Sequence, residues 1–412
     1  MSGSPVILLP KVLPILRPRR NQSIAIDTEE YSIYFRNVVY PFEADYDIVV
    51  DCRYGGNYGE FWRIKNYPDD TDAFDLTLSV YAPFGKLLAR KTCRIELYDK
   101  LAHAAQTSIL CIGDSMTHRE VYMRHVWGKL NGLRFIGTRC FNGWLAHEGR
   151  GGWTAPMYLE RTEDEWGGTS PFLFPKGISG EEFYGNMDFM TRVHDPDLDS
   201  YCLDGYAAEE IREGQVFYRS GELWRRKNGT DVPENRRPEW EFRFDKYLRR
   251  HNLGRADIVT FLLGANDMQC RYEDMEAAAV RYDNALSVMA RSVRDADPDT
   301  KIVFCLPVPC AEQYAWGLRG NGSAGSYRLG VVHLCEQILE KYDGREAEGL
   351  YVCHMPSNLD PIHGFPMEYG VDSRYGETST LHQSNWVHPN AAGYAQMGDS
   401  LAAVIEKIRC AH

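Results

Sequence analysis

No apolar run in this 412-residue chain approaches the ~20 residues that a membrane-spanning helix requires. The apolar stretches Val6 to Leu9 and Val12 to Leu16 are broken by Pro10 and Pro14. Arg17, Arg19 and Arg20 follow them instead of preceding them, which is not the order of a secretory leader. A positive balance of charge is lacking too: 46 Lys and Arg stand against 58 Asp and Glu, and the net charge of −12 argues against nucleic acid or an anionic membrane as the main partner. There is no Cys-x-x-Cys, no His-Glu-x-x-His and no other dense ligand spacing, so neither a metal nor another cofactor is expected. Repeats and low-complexity segments are missing as well. The eleven cysteines are odd in number and scattered, and Cys111 and Cys305 fall inside apolar, strand-like runs. They read as buried free thiols of a reducing compartment, and the expected location is the cytoplasm.

What remains is the composition of an ordinary globular protein, 44% hydrophobic and 25% charged, long enough for two or three domains. Residues 1–102 read as all-β. Phe74, Leu76, Leu78 and Val80 alternate with Asp75, Thr77 and Ser79, and after Pro83-Phe84-Gly85 the alternation resumes through Cys93, Ile95 and Leu97. Two period-two runs about a Pro/Gly turn make a hairpin with one buried face. Tyr31 to Val39 and Tyr46 to Val50 supply further strands, and a small β-sandwich is expected. Tyr54, Tyr58, Phe61 and Trp62 are either part of its core or a platform on which a sugar stacks.

From residue 103 onward strands and helices alternate. Ser108–Ile112, Arg134–Ile136, Asp257–Leu263, Lys301–Leu306 and Leu350–Cys353 have the apolar character of buried strands. Met275, Ala279, Tyr282, Leu286, Met289 and Val293 recur every three or four residues, as on a helix packed against a sheet. Val331–Tyr342 and Ala391–Ile408 are further helices. This order predicts a mostly parallel sheet covered on both faces. Residues 155–238, rich in Gly, Pro, Asp and Trp, interrupt the rhythm. A hairpin is expected there from Val216-Phe217-Tyr218 and Glu222-Leu223-Trp224, and an insertion of this kind shapes a substrate cleft.

Four short motifs stand at the expected strand ends. Gly113-Asp114-Ser115 closes the first strand and precedes a helix predicted from His118 to Lys129, a setting that exposes a serine beside backbone amides. Its plain structural reading is a helix start, with Thr117 and Glu120 as a capping box. Gly152, within Glu148 to Thr154, can turn its amide toward an oxyanion or belong to a simple loop. Asn266, in Gly264-Ala265-Asn266-Asp267, is a fixed amide donor or ordinary turn chemistry. His388 precedes Pro389 at the predicted start of the last helix, as a base or as a cap.

Taken together, these blocks resemble the SGNH (GDSL-type) hydrolase family, over residues from about 103 to the C-terminus. The flanks around Gly137-Thr138-Arg139 and from His388 to Tyr394 look like its two-domain bacterial members. The resemblance implies a three-layer α/β/α, flavodoxin-like domain at 103–412, preceded by the β-sandwich. It implies Ser115 as nucleophile, His388 as base, and the Ser115 amide, the Gly152 amide and the Asn266 side chain as oxyanion donors, with no metal. The family's aspartate three residues before the histidine is here Asn385. Either Asn385 orients His388 as a neutral acceptor, or a carboxylate such as Asp360 does, or turnover is impaired. The expected activity is hydrolysis of a small acyl ester, acetyl above all, on a carbohydrate. The alternatives are a lipid esterase or acyltransferase of the same fold, or a carbohydrate-binding protein without turnover.

Overall fold

A computed structural model of the chain describes residues 4–18, 30–141, 145–160, 170–175, 240–309, 311, 324–370, 375–376 and 379–411, with short strands at 192–195, 200–203, 218–220 and 223–225. The N-terminal region is β-rich. Strands Val12–Arg17, Leu87–Asp99, Ala73–Tyr81 and Asp47–Cys52 form one sheet in that order, and Tyr31–Tyr34, Phe61–Ile64 and Gly56–Asn57 form a second. The alternation Phe74, Leu76, Leu78, Val80 faces inward, and these side chains share a core with Ile33, Trp62 and Ile64 from the second sheet. Each such side chain contributes roughly 1.5–3 kcal/mol by leaving water. The hairpin turns where expected: Gly85 N–H donates to Ala82 O at 3.1 Å, with Phe84 and Gly85 both at positive φ.

One reading changes here, and one of two alternatives is selected. Tyr31 to Val39 is not one strand; after Tyr34 the chain makes a helical turn, Phe35–Val38, that buries Phe35 and Val38. Trp62 is not part of a sugar platform. It is 1% exposed and its indole N–H donates to Tyr54 O at 3.1 Å, so burial in the sandwich core claims it.

The second region is built on a parallel sheet in the order Leu133–Ile136, Thr107–Gly113, Ile258–Leu262, Lys301–Cys305, Leu350–Cys353. Read by chain order this is 2-1-3-4-5, the flavodoxin-like arrangement, whose direction of winding reverses beside Thr107–Gly113. Every residue of Ile258–Leu262 is buried, as a strand covered on both faces requires. Helices Val121–Lys129 and Ala391–Cys410 pack on each other, while Met275–Ala296 packs on Phe244–Arg250 and Ala324–Tyr342. All six residues of the predicted stripe from Met275 to Val293 are buried. In the insertion, Tyr218–Ser220 pairs with Leu223–Arg225, so the hairpin forms one or two residues later than expected. Most of residues 155–238 lies outside the described residues. Cys93, Cys111, Cys305, Cys335 and Cys353 are free and buried.

The β-rich region is fastened to the other by polar contacts at its edge. Asn37 Nδ2 donates to Pro356 O and Leu359 O, at 2.9 and 2.7 Å, and Ser32 N–H donates to Asn358 Oδ1 at 3.0 Å. The buried Tyr31 hydroxyl lies 3.0 Å from Ser357 Oγ and 3.2 Å from Ser400 Oγ.

Candidate active site

The strand Thr107–Gly113 ends where no side chain fits. A Cβ on Gly113 would lie 2.1 Å from Thr117 Oγ1 and 2.8 Å from Leu262 O, so glycine alone lets the chain turn here. Asp114 follows as the N-cap of the short helix Ser115–His118, its Oδ1 accepting from Met116 N at 2.9 Å. Burial pushes the Asp114 carboxyl up to about 7. The expected single helix from His118 is in fact two. Glu120 adopts φ 58° and the second helix starts at Val121. Thr117 and Glu120 form no capping box: Thr117 Oγ1 meets Tyr122 Oη, and the buried Glu120 carboxylate accepts from Phe141 N–H and Arg124.

Ser115 Oγ lies 2.8 Å from His388 Nε2, a hydroxyl and an imidazole in hydrogen-bonding contact although 273 residues apart. His388 is not at the helix cap. The last helix begins at Ala391 and is capped by Asn390, whose Oδ1 accepts from Gly393 N at 3.0 Å. Asparagine is the stronger N-cap, which moves His388 two residues outside it. The same Asn390 donates to His363 O and Phe365 O.

Among the described residues no hydrogen bond joins Asn385 to the imidazole. Its Oδ1 accepts from Val387 N at 3.0 Å and His388 N at 2.8 Å, closing the turn that carries the base. Asp360 is engaged elsewhere: Oδ1 accepts from Ile362 N and His363 N at 2.8 Å each, and Oδ2 accepts from Tyr34 Oη at 3.2 Å and faces His363 Nδ1 at 3.3 Å. Among the described residues no carboxylate bonds the His388 ring. Burial, aided by the positive charge of Arg119, pushes His388 down to about 4, so the ring is neutral and able to accept a proton at pH 7.

The candidate oxyanion donors come from two neighbouring loops. Glu148–Gly149 extends the sheet beside the end of the nucleophile strand, pairing Gly149 with Gly113. Arg150 N–H and the Tyr158 hydroxyl both donate to Gly113 O, at 2.9 and 2.8 Å. Beyond them Gly152 takes φ 75° in an exposed turn, a left-handed conformation suited to glycine. Asn266 Nδ2 donates to Trp153 O at 2.9 Å, which joins the Asn266 loop to the Gly152 loop and leaves the second amide hydrogen for a ligand. Among the described residues no main-chain partner takes the Ser115 or Gly152 N–H.

Three contributors were not evident in the sequence. Asp267, 7% exposed, accepts the Ala155 N–H with both oxygens at 3.1 and 3.2 Å and so anchors the Gly152 loop; burial pushes its carboxyl up to about 7. Glu148, fully buried, accepts from Thr138 N and the Tyr247 hydroxyl at 2.7 Å each and from Arg150 at 2.9 Å. Arg119 stands one helical turn after Ser115. Only Asp267 carried a signal, its place beside Asn266; the other two depend on packing that spacing does not reveal.

Residues 229–401 match the GDSL-like lipase/acylhydrolase family model. The chain carries a GDSL-like hydrolase domain. As such it is a carboxylic ester hydrolase. The matched span of this GDSL-like domain contains Asn266 and His388, while Ser115 and Gly152 lie before it. No curated protein matches the chain. Solved structures with likeness to it include a carbohydrate esterase family 3 protein from Talaromyces cellulolyticus, at 12% identity and TM-score 0.35, covering 74% of this chain and 100% of that one. A carbohydrate acetylesterase from Sinorhizobium meliloti covers 74% and 100%, at 12% identity and TM-score 0.33. A carbohydrate esterase family 2 enzyme plus carbohydrate-binding domain from Corynascus thermopiles covers 100% and 92%, at 12% and 0.32. Likenesses this distant say nothing of the substrate.

Proposed function

We propose that the protein removes a small acyl group, acetyl, from a carbohydrate through a Ser115–His388 acyl-enzyme mechanism. The observation that carries this is the 2.8 Å contact of Ser115 Oγ with His388 Nε2, at the sheet edge where flavodoxin-like folds place their ligands. Ser115 Oγ attacks the ester carbonyl carbon while His388 Nε2 takes the hydroxyl proton. The Ser115 and Gly152 amides and the Asn266 side chain receive the charge that develops on the carbonyl oxygen. Collapse breaks the bond to the sugar oxygen, which takes the proton from His388. Water then attacks the acyl-serine, gives its proton to His388, and acetate leaves as Ser115 is restored.

A cavity lies beside the Gly152 loop. Its volume is about 410 Å³, and Thr154, Asp267, Glu160 and Arg281 line it alongside Pro156 and Met157. The assignment of residues 1–102 and 103–412 as two domains, with 155–238 over the cleft, belongs to the same proposal. Hydrolysis of p-nitrophenyl acetate and butyrate tests it. Acetate turnover should exceed butyrate, a serine-directed phosphonate should label Ser115 alone, and Ser115→Ala should abolish turnover with the melting temperature unchanged. Turnover retained in that variant would overturn the mechanism.

A further inference from the structure

Arg119 is an exposed cation placed one turn from the nucleophile. Its N–H donates to Ser115 O at 3.2 Å, an i to i+4 bond, so the two side chains leave the same helical face with about 5–6 Å between their Cβ atoms. The guanidinium makes no hydrogen bond or ion pair among the described residues, whereas nearby Arg124 and Arg150 are each tied to a glutamate. The two acidic side chains closest to it in sequence are withdrawn. Asp114 is buried against the Met116 N–H, and Glu120 is buried against Arg124 and Phe141 N–H. An unneutralised arginine at the rim of a site is the side chain best suited to clamp a carboxylate, since its planar fork offers two parallel donors. It also stands out on a protein with a net charge of −12, which would otherwise repel an acidic substrate.

We propose that Arg119 is a specificity-determining residue that binds a carboxylate carried by the substrate close to the scissile ester. This rests on the esterase reading above and narrows its substrate to acidic esters. Two sources share that chemistry, an acidic sugar on the alcohol side and a dicarboxylic acyl group on the other, and paired substrates separate them. The first pair is an acetylated methyl glucuronide against the matching acetylated methyl glucoside. The second is p-nitrophenyl hemisuccinate against p-nitrophenyl acetate.

In at least one pair the wild type should favour the charged member in kcat/KM by about ten- to hundredfold, the value of a charge-assisted hydrogen-bonded pair. Arg119→Gln should erase that preference through KM, and Arg119→Lys should retain part of it. The neutral ester should lose less than the charged one in both variants. Arg119 also holds down His388, and its charge and that of Asp114 both act on Tyr394, so Arg119→Gln should move the acid limb of the neutral-ester profile to higher pH. Equal rates within both pairs in the wild type, or equal losses on charged and neutral esters in Arg119→Gln, would overturn the inference. Ser115-dependent hydrolysis of p-nitrophenyl acetate without any charge preference would remove Arg119's role alone. Absence of that hydrolysis would remove the esterase mechanism and this inference with it.

Discussion

The two loops that flank Ser115 are held by opposite chemistry. The donor side is tied by carboxylates: Asp267 takes the Ala155 N–H, and Glu148 takes Thr138 N–H, Tyr247 and Arg150. The base side is tied by amides. Asn385 takes the Val387 and His388 N–H groups, Asn390 spans Gly393, His363 and Phe365, and Gln383 donates to Pro361 O and Ile362 O. An amide both donates and accepts, so it fixes a loop without adding charge. The base therefore gains its position from neighbours that do not raise its basicity. On the proposed mechanism, orientation and charge stabilisation, which one aspartate supplies in a full triad, are separated.

The two sides also respond to pH in opposite senses. Asp267 is raised to about 7, so the stability its neutral form contributes is present below its ordinary 3.8 and is lost as pH rises through about 7. His388 is lowered to about 4, so its contribution is present above its ordinary 6.5 and is lost as pH falls through about 4. Alkali should loosen the donor side and acid the base side.

Removing the base should have the largest effect. His388→Ala should lower kcat by roughly 10⁴-fold or more with the fold intact, leaving what the donors supply alone. Removing a donor comes next: Asn266→Ala should lower kcat by about 10²–10³ with little change in KM, and a change confined to KM would make Asn266 a binding residue. Asp267→Ala leaves a buried N–H unpaired, at a cost of about 1–3 kcal/mol, so the Gly152 loop should slacken and kcat fall by about ten- to hundredfold. Asp267→Asn, which keeps an acceptor, should stay within about threefold and remove the alkaline loss of stability. A mild Asp267→Ala variant in stopped-flow turnover and thermal melts would refute the anchoring role.

The smallest effect bears most directly on the contrast. The wild-type kcat/KM should hold toward pH 4, because His388 stays neutral until then. Asn385→Asp places a carboxylate beside the base turn while keeping the two caps. It should raise the His388 pKa and move the acid limb upward with little change in rate at pH 7. An unmoved limb would show that residue 385 serves the backbone only.

Sequence spacing revealed the parts of this molecule governed by local rules. The stripe from Met275 to Val293 is buried as its period requires, and the five strands of the parallel sheet lie within one or two residues of their apolar runs. Ser115, Gly152 and Asn266 follow strand ends and His388 precedes the last helix, places where turn residues mark the sequence. Long-range competition for hydrogen bonds was not legible. Asp360 looked free to orient His388, yet the Tyr34 hydroxyl of the β-rich region and two nearby N–H groups occupy it. Trp62 read as either core or a sugar platform, and only the paired sheets show that it faces inward.

The separation of Ser115 from His388 has a consequence in time. Ribosomes add about 5–20 residues per second, so the 273 residues between them take on the order of 14–55 s to make. Throughout that interval a finished nucleophile strand carries a serine without its base. On the proposed mechanism a nascent chain is chemically silent until His388 has been added, and chains stalled before His388 should leave a phosphonate probe unreacted.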